Sequence, residues 1–405
     1  MSTKAWAKRR MGEDYRRVGD PPVISALVSS QHQAGLVSAI RAVTARRFQG
    51  RIMLMRNMIA AVLLFVSGLQ FPLACASPNR FPHQADAIIL EAQRLAATDD
   101  FASIERLVKH YNARQQMNEN GLSSVGTFYT AMSGSFEIDV ADTEAWNRRF
   151  AWADRWIAAY PKSPTARVMR GRIEFLRGAS YRGSGWARDV TPENNASYQR
   201  YASQAADYLL EHRAIASKDP YFYTTLLIIG FRMDWPEFEL MALFDEGAER
   251  YPYYFGQFTV PMMYYAPRWG GSFEAMEAFA RHAMTRVPPP DRAALYARLY
   301  TYAQFLGWES PLTGGQIDWA LFDEGTRNIV AQYPSPGNLQ AYASMGCGSQ
   351  DRARAAAFIQ QFRGEPDLQI WGDAQKFEFC SAYAKGAFPF LDNRPRISPP
   401  WNPPK

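Results

Sequence analysis

Thr143–Pro164 reads TEAWNRRFAWADRWIAAYPKSP, and its spacing decides the fold. Trp146, Phe150, Ala153 and Ile157 recur every three or four residues and share one face of a helix. Trp152 and Trp156 widen that face to nearly half the cylinder. A helix this apolar has to be covered on two sides, as in a stacked array. Thr143 or Asp142 is placed to cap its start. Tyr160-Pro161 is placed to end it, because proline cannot continue a helix and biases its predecessor away from helical angles.

The same grammar runs outward from about Phe81 to Gly386, with no sustained period-two alternation. Asp100 stands before a face of Phe101, Ile104, Leu107, Val108 and Tyr111 and is a predicted N-cap. Stops recur at Tyr251-Pro252, Val287-Pro288 and Tyr333-Pro334, with Asp219-Pro220 as a related break. The intervals between these prolines, starting from Pro161, are 59, 32, 36 and 46 residues, two of them close to the tetratricopeptide period. Leu243-Phe244-Asp245-Glu246-Gly247 returns as Leu321-Phe322-Asp323-Glu324-Gly325, each copy shortly before a Tyr-Pro stop. At the positions where such repeats favour Phe and Ala, Phe244/Gly247 and Ala280/Ala283 are acceptable. Ala153/Trp156 and Thr326/Ile329 are not. The expected fold is all-α: a tetratricopeptide-like α-solenoid of stacked helix pairs, wound as a right-handed superhelix, over residues 77–387. Gly307, Gly314-Gly315 and Gly348 mark joints, and Ser349 is expected to cap the helix holding Ala355–Phe362. The tail, 388–405, is proline-rich and reads as extended.

Arg51–Ser77 has the layout of an export signal: Arg51 and Arg56, an apolar run Met58–Val66, a turn-prone Gly68–Pro72 piece, then Ala74-Cys75-Ala76 before Ser77. The expected signal peptide is 53–76, cleaved between Ala76 and Ser77, with 1–52 a non-native, disordered extension. A lipid anchor on Cys75 fits less well, since Pro72 stands where lipoprotein signals prefer Leu. The expected location is periplasmic or secreted, in a bacterium. The formal charge of +6 belongs to the leader: residues 77–405 carry 34 basic and 36 acidic side chains, which argues against a nucleic-acid partner. Met58–Val66 is far short of the roughly 20 residues a membrane span needs, and nothing later approaches it. Cys347 and Cys380 remain after cleavage; a disulfide between them and two buried thiols are both open.

Six blocks in order carry a resemblance to a known family. They are Gly121…Phe128-Tyr129; Trp156 with Tyr160-Pro161-Lys162-Ser163-Pro164; Tyr181-Arg182-Gly183-Ser184-Gly185-Trp186; Asp219-Pro220-Tyr221-Phe222-Tyr223; Tyr251-Pro252-Tyr253-Tyr254; and Pro267-Arg268-Trp269-Gly270-Gly271-Ser272. From about Phe101 to Met284 the chain resembles the bacterial helical-repeat family called domain of unknown function 4034. The resemblance implies a tetratricopeptide-like solenoid and supplies no activity. Ser123-Ser124 departs from the aromatic residue that similar proteins place after the glycine.

Catalytic motifs are sparse. His83, His110, His212 and His282 have no partner at metal-ligand spacing, and neither HExxH, GxSxG nor a Walker loop occurs. No cofactor or metal is expected. Two Gly-rich loops, holding Arg182 with Trp186 and Arg268 with Trp269, could hold a carboxylate or a peptide end, or could wedge the joints between helix pairs. Ser272 should cap the helix that follows the second loop. Tyr253, Tyr254, Tyr264 and Tyr265 belong to an unusually aromatic segment that could line a groove for an extended peptide or glycan. The expected function is a non-catalytic protein- or peptide-binding scaffold of the cell envelope. The alternative is an envelope hydrolase, with Arg182, Glu274 or Arg268 converging on a groove.

Overall fold

The computed structural model describes residues 84–388, apart from 114, 137, 186, 306–310 and 315. The expected extension, the signal peptide with Ala76 and Ser77, Trp186, Gly307, Gly315 and the tail beyond 388 lie outside the described residues.

The first helices are α1 (Gln84–Ala96), α2 (Phe101–Ala113), α3 (Ser124–Gly134), α4 (Thr143–Ala159), α5 (Pro164–Arg182) and α6 (Pro192–Glu211). Then come α7 (Arg213–Ala216), α8 (Pro220–Arg232), α9 (Glu237–Arg250), α10 (Gly256–Tyr264), α11 (Phe273–Met284) and α12 (Arg292–Phe305). The last are α13 (Pro311–Gly314), α14 (Trp319–Gln332), α15 (Pro336–Gly348), α16 (Arg352–Ile359), α17 (Leu368–Trp371) and α18 (Ala374–Ala384). The fold is all-α: the described residues contain no strand, only an isolated bridge between Met117 and Ser123. Each long helix packs chiefly on its neighbours in the chain, α5 on α6, α12 on α14 and α15 on α16 most extensively.

Capping explains the boundaries. Asp142 caps α4 and Ser272 caps α11, each side chain accepting a backbone N–H three residues on. Asp100 likewise accepts the N–H of Ser103 at the start of α2. Four helices begin with a capping side chain followed by proline in the first turn: Ser163-Pro164, Thr191-Pro192, Asp219-Pro220 and Ser335-Pro336. The break read at Asp219-Pro220 is therefore a helix start. Tyr160, Tyr251 and Tyr333 close α4, α9 and α14 in nearly one conformation (φ −131°, ψ 71°; φ −135°, ψ 61°; φ −134°, ψ 72°). Ser349 corrects an expectation. It ends α15, fully buried, while Asp351 caps α16 through the N–H of Arg354. The helix start moves two residues because Gln350 takes a positive φ of 57° between them.

The helix quoted at the outset is covered on two sides. Trp152 and Trp156 meet Phe101 of α2, and Trp146 lies against Arg177 of α5. Trp152 and Trp156 also donate their indole N–H to the Thr98 carbonyl (2.7 Å) and the Glu105 carboxylate (2.8 Å). The duplicated pentapeptide is a structural repeat. Phe244 and Phe322 are fully buried, and each following aspartate pairs with the next helix of its kind. Asp245 meets His282 of α11 and Arg286 just beyond its end, and Asp323 meets Arg354 of α16. The glycine ending each copy permits close approach: a Cβ on Gly325 would stand 1.9 Å from the Ala293 carbonyl oxygen of α12.

Candidate functional site

Residues 117–123 bring the beginning of the array to its later part. Asn118 organises this loop, its Oδ1 accepting the N–H groups of Asn120 and Leu122. Arg298 of α12 and Asn338 of α15 donate to the Asn120 carbonyl (2.8 and 3.2 Å), and the Ser335 hydroxyl donates to Asn120 Oδ1 (2.6 Å). Gly121 follows with φ +69°; a Cβ there would meet the Tyr333 ring at 2.5 Å and Arg298 at 2.6 Å. Only glycine accommodates both the angle and the contact.

This closure bounds a cavity of about 520 Å³. Its walls are the first turns of α3, α8, α10 and α15, the later half of α12, the start of α1, the 118–123 loop and the 362–370 segment. Threonines recur around it: Thr127 and Thr130 on α3, Thr224 on α8, Thr259 on α10 and Thr301 on α12. Tyr254 and Tyr342 are buried at its wall. Burial pushes the Tyr342 phenol up to about 12 and Tyr254 well above the usual range, so both stay neutral near pH 7. Arg298 is half-buried on the lining, and desolvation lowers its pKa. Asp86 and Glu119 are half-buried on the lining, with Arg363 and Glu365 exposed. The Glu119 carboxylate accepts the Ala85 N–H (3.0 Å).

Behind the wall lies a buried polar hub. Asp219 Oδ2 accepts the hydroxyls of Tyr129 and Thr165 (2.7 Å from Thr165), and its Oδ1 accepts the Tyr221 N–H (2.9 Å). Tyr221 stacks on Tyr129 (centroids 4.9 Å apart) and shares a hydrogen bond with Ser133 (2.8 Å). Burial raises the Asp219 pKa to about 6 against the opposing pull of these three donors. The hub fixes α3, α5 and α8 relative to one another; its carboxylate and both hydroxyls are off the cavity lining.

The residues singled out from sequence do not form one site. Tyr254 lines the cavity; Tyr253, Tyr264, Tyr265, Arg182, Arg268, Trp269 and Glu274 do not. Tyr264 packs edge-on against Phe231, and Tyr265 donates to Glu237 (2.6 Å), both at the far end of α10 from the cavity. Trp269 is a wedge, edge-on to Phe231 and beneath the Arg232 guanidinium at 4.8 Å. Arg182 turns onto the carbonyls of its own loop, Gly183 and Gly185. Glu274 accepts from Gln316 (2.9 Å). The physical reason is helix length. Tyr254 precedes the first turn of α10 and Tyr264 is its last residue, so they lie at opposite ends of the helix. Cys347 and Cys380 are joined as a disulfide, Cα atoms 5.9 Å apart, tying α15 to α18. The threonines and Arg298 were not singled out from sequence, although the Thr224-Thr225 pair inside the apolar run Tyr221–Phe231 was a usable signal. Among the described residues no cluster of His, Cys, Asp and Glu could hold a metal ion, and no helix is long and apolar enough to cross a membrane. No family model, curated protein or solved structure matches this chain.

Proposed function

We propose that the chain is an exported, non-catalytic binding protein of the bacterial cell envelope: a tetratricopeptide-like solenoid of the domain of unknown function 4034 family that holds a protein or peptide partner. One observation carries the non-catalytic part. The cavity wall combines Arg298 and Arg363 with neutral phenols, hydroxyls and the carboxylates of Asp86, Glu119, Glu365 and Asp367, and among the described residues its lining includes no histidine, cysteine or lysine. Ser123 and Ser335, its serines, are spent as helix caps. A nucleophile needs an adjacent base, and neither serine hydroxyl is hydrogen-bonded to a histidine or a carboxylate. Export is supported by the Arg51–Ser77 pattern and by the Cys347–Cys380 bridge, which suits an oxidising compartment. The repeated Asp-Glu-Gly contacts and the Tyr helix ends support the repeat reading.

The test is a photo-crosslinking amino acid in intact cells at Phe255, which is half-buried on the cavity, with exposed Phe238 as control. The expected outcome is one partner captured from Phe255 and not from Phe238. Equal capture at both sites rejects the binding reading. Release of fragments from envelope material by the purified protein rejects its non-catalytic part.

A further inference from the structure

We infer that the cavity receives a carboxylate carried on an apolar body, with Arg298 as its counter-charge. The inference rests on the binding reading above and names the chemistry of what is bound.

Arg298 differs from the other arginines held in the packing in that it lines the cavity and they do not. Arg354 is held by Asp323 (2.7 Å) and Asp351 (3.3 Å). Arg177 gives its donors to the Val140 carbonyl and the Tyr181 hydroxyl and lies over Trp146. Arg149 bonds the Ala96 carbonyl and covers Phe136; Arg232 covers Trp269. Arg172 lies between the Phe175 and Tyr221 rings with its Nε and Nη1 buried and unpaired, but it is off the cavity lining. Among the described residues no carboxylate pairs with Arg298; it donates to the Asn120 carbonyl, stands near Tyr333 and Tyr342, and lines the cavity. Withdrawing a guanidinium from water without a counter-charge is expensive, and a bound anion relieves that cost.

The rest of the lining selects the kind of anion. Asp86, Glu119, Glu365 and Asp367 are on the same lining and outnumber Arg298 and the exposed Arg363, so a dianion such as a phosphate monoester meets more repulsion than a single carboxylate. The wall's polar groups are largely spent within the protein. Thr259 and Thr301 donate to the Gly256 and Ala297 carbonyls, and the Gln340 side chain serves Pro336, Asp367 and Trp371. Thr224 Oγ1 is left without a partner, and Ile89, Leu122, Phe255 and Phe305 supply apolar lining. The apolar side chains of the lining suit an apolar chain. The volume is that of a site for a small organic ligand, within the range of roughly 300–1,000 Å³. Two sources fit this chemistry, the free end of a peptide with apolar last residues and a free fatty acid.

Calorimetric titration of the purified protein decides. The probes are N-acetyl-leucyl-leucine as free acid and as amide, dodecanoate, and inorganic phosphate. The free acid or dodecanoate binds, the amide binds about tenfold more weakly or worse, and phosphate does not compete. Arg298→Gln removes the preference for acid over amide, and Arg298→Lys restores part of it. Circular dichroism checks that both variants fold; should Arg298→Gln fail, the Arg298→Lys and amide comparisons still decide. Binding by the peptide acid alone or by dodecanoate alone identifies the source. Equal affinity for acid and amide, phosphate competition, or no carboxylate binding in roughly the millimolar range overturns the inference. A partner captured from Phe255 would stand through any of these failures.

Discussion

Replacing Gly121 by alanine tests the closure that creates the cavity. The substitution is strained in two ways. The left-handed φ of +69° costs a side-chain-bearing residue about 1–2 kcal/mol. The new Cβ would press on the Tyr333 ring at 2.5 Å and on Arg298 at 2.6 Å, an overpacking cost of about 1–3 kcal/mol. The chain can avoid both by unhooking the loop, which sacrifices the three bonds to Asn120 from Arg298, Ser335 and Asn338. At about 1 kcal/mol each, more for the charged donor, unhooking costs about 3–4 kcal/mol. The cheaper route sets the result, so Gly121→Ala should lose about 2–4 kcal/mol. Gly270→Ala is the control: its φ is +88°, but a Cβ there meets nothing within 4 Å, so only the backbone cost of about 1–2 kcal/mol applies. Urea unfolding followed by circular dichroism gives both numbers, and hydrogen exchange at residues 118–122 shows which route was taken. A Gly121→Ala loss no larger than that of Gly270→Ala, with exchange at 118–122 still slow, would refute the clasp.

Other outcomes follow from the same geometry. Asp219 has its folded pKa raised to about 6 from 3.8, so between those values the folded state holds the extra proton and stability falls as pH rises; above pH 6 the loss is on the order of 3 kcal/mol. Urea unfolding between pH 4 and pH 7 should show this slope in the native protein and a flatter one in Asp219→Asn, and identical slopes would rule the assignment out. Gly325→Ala should cost about 3 kcal/mol, because its Cβ meets the rigid Ala293 carbonyl. Gly247→Ala should cost less, since the Gln257 and Tyr223 side chains it meets at 2.6–2.9 Å can shift; a reversed order in thermal melts counts against the repeat geometry. Reducing the Cys347–Cys380 bridge, which spans 33 residues, should destabilise by on the order of 3–4 kcal/mol, and the double serine variant should no longer respond to reductant.

Local rules made the helices legible in advance. Capping side chains at Asp100, Asp142 and Ser272 are where hydrogen-bonding chemistry requires them, and proline after tyrosine ends α4, α9 and α14 for steric reasons that operate within a few residues. The pentapeptide repeat was readable for the same reason. Its buried Phe, its Asp and its Gly each meet a neighbouring helix, so the constraint is written twice into the chain. Ser349 misled because Ser349 and Asp351 are both competent caps, and the choice between them lies in the turn at Gln350.

Tertiary structure decided the cavity. Asn120 and Asn338 are 218 residues apart, and no periodicity, cap or turn signal reports that they touch. The tyrosines read as one recognition surface are separated by the axial rise of α10, while threonines scattered over four helices are gathered onto a common wall. From the sequence alone come the all-α class, the helix ends and the repeated contacts, because these are set by neighbours in the chain. Which charge is left facing an open space, and which is neutralised, depends on distances between segments remote in sequence, so Arg298 could be distinguished from the other arginines only after the chain had folded.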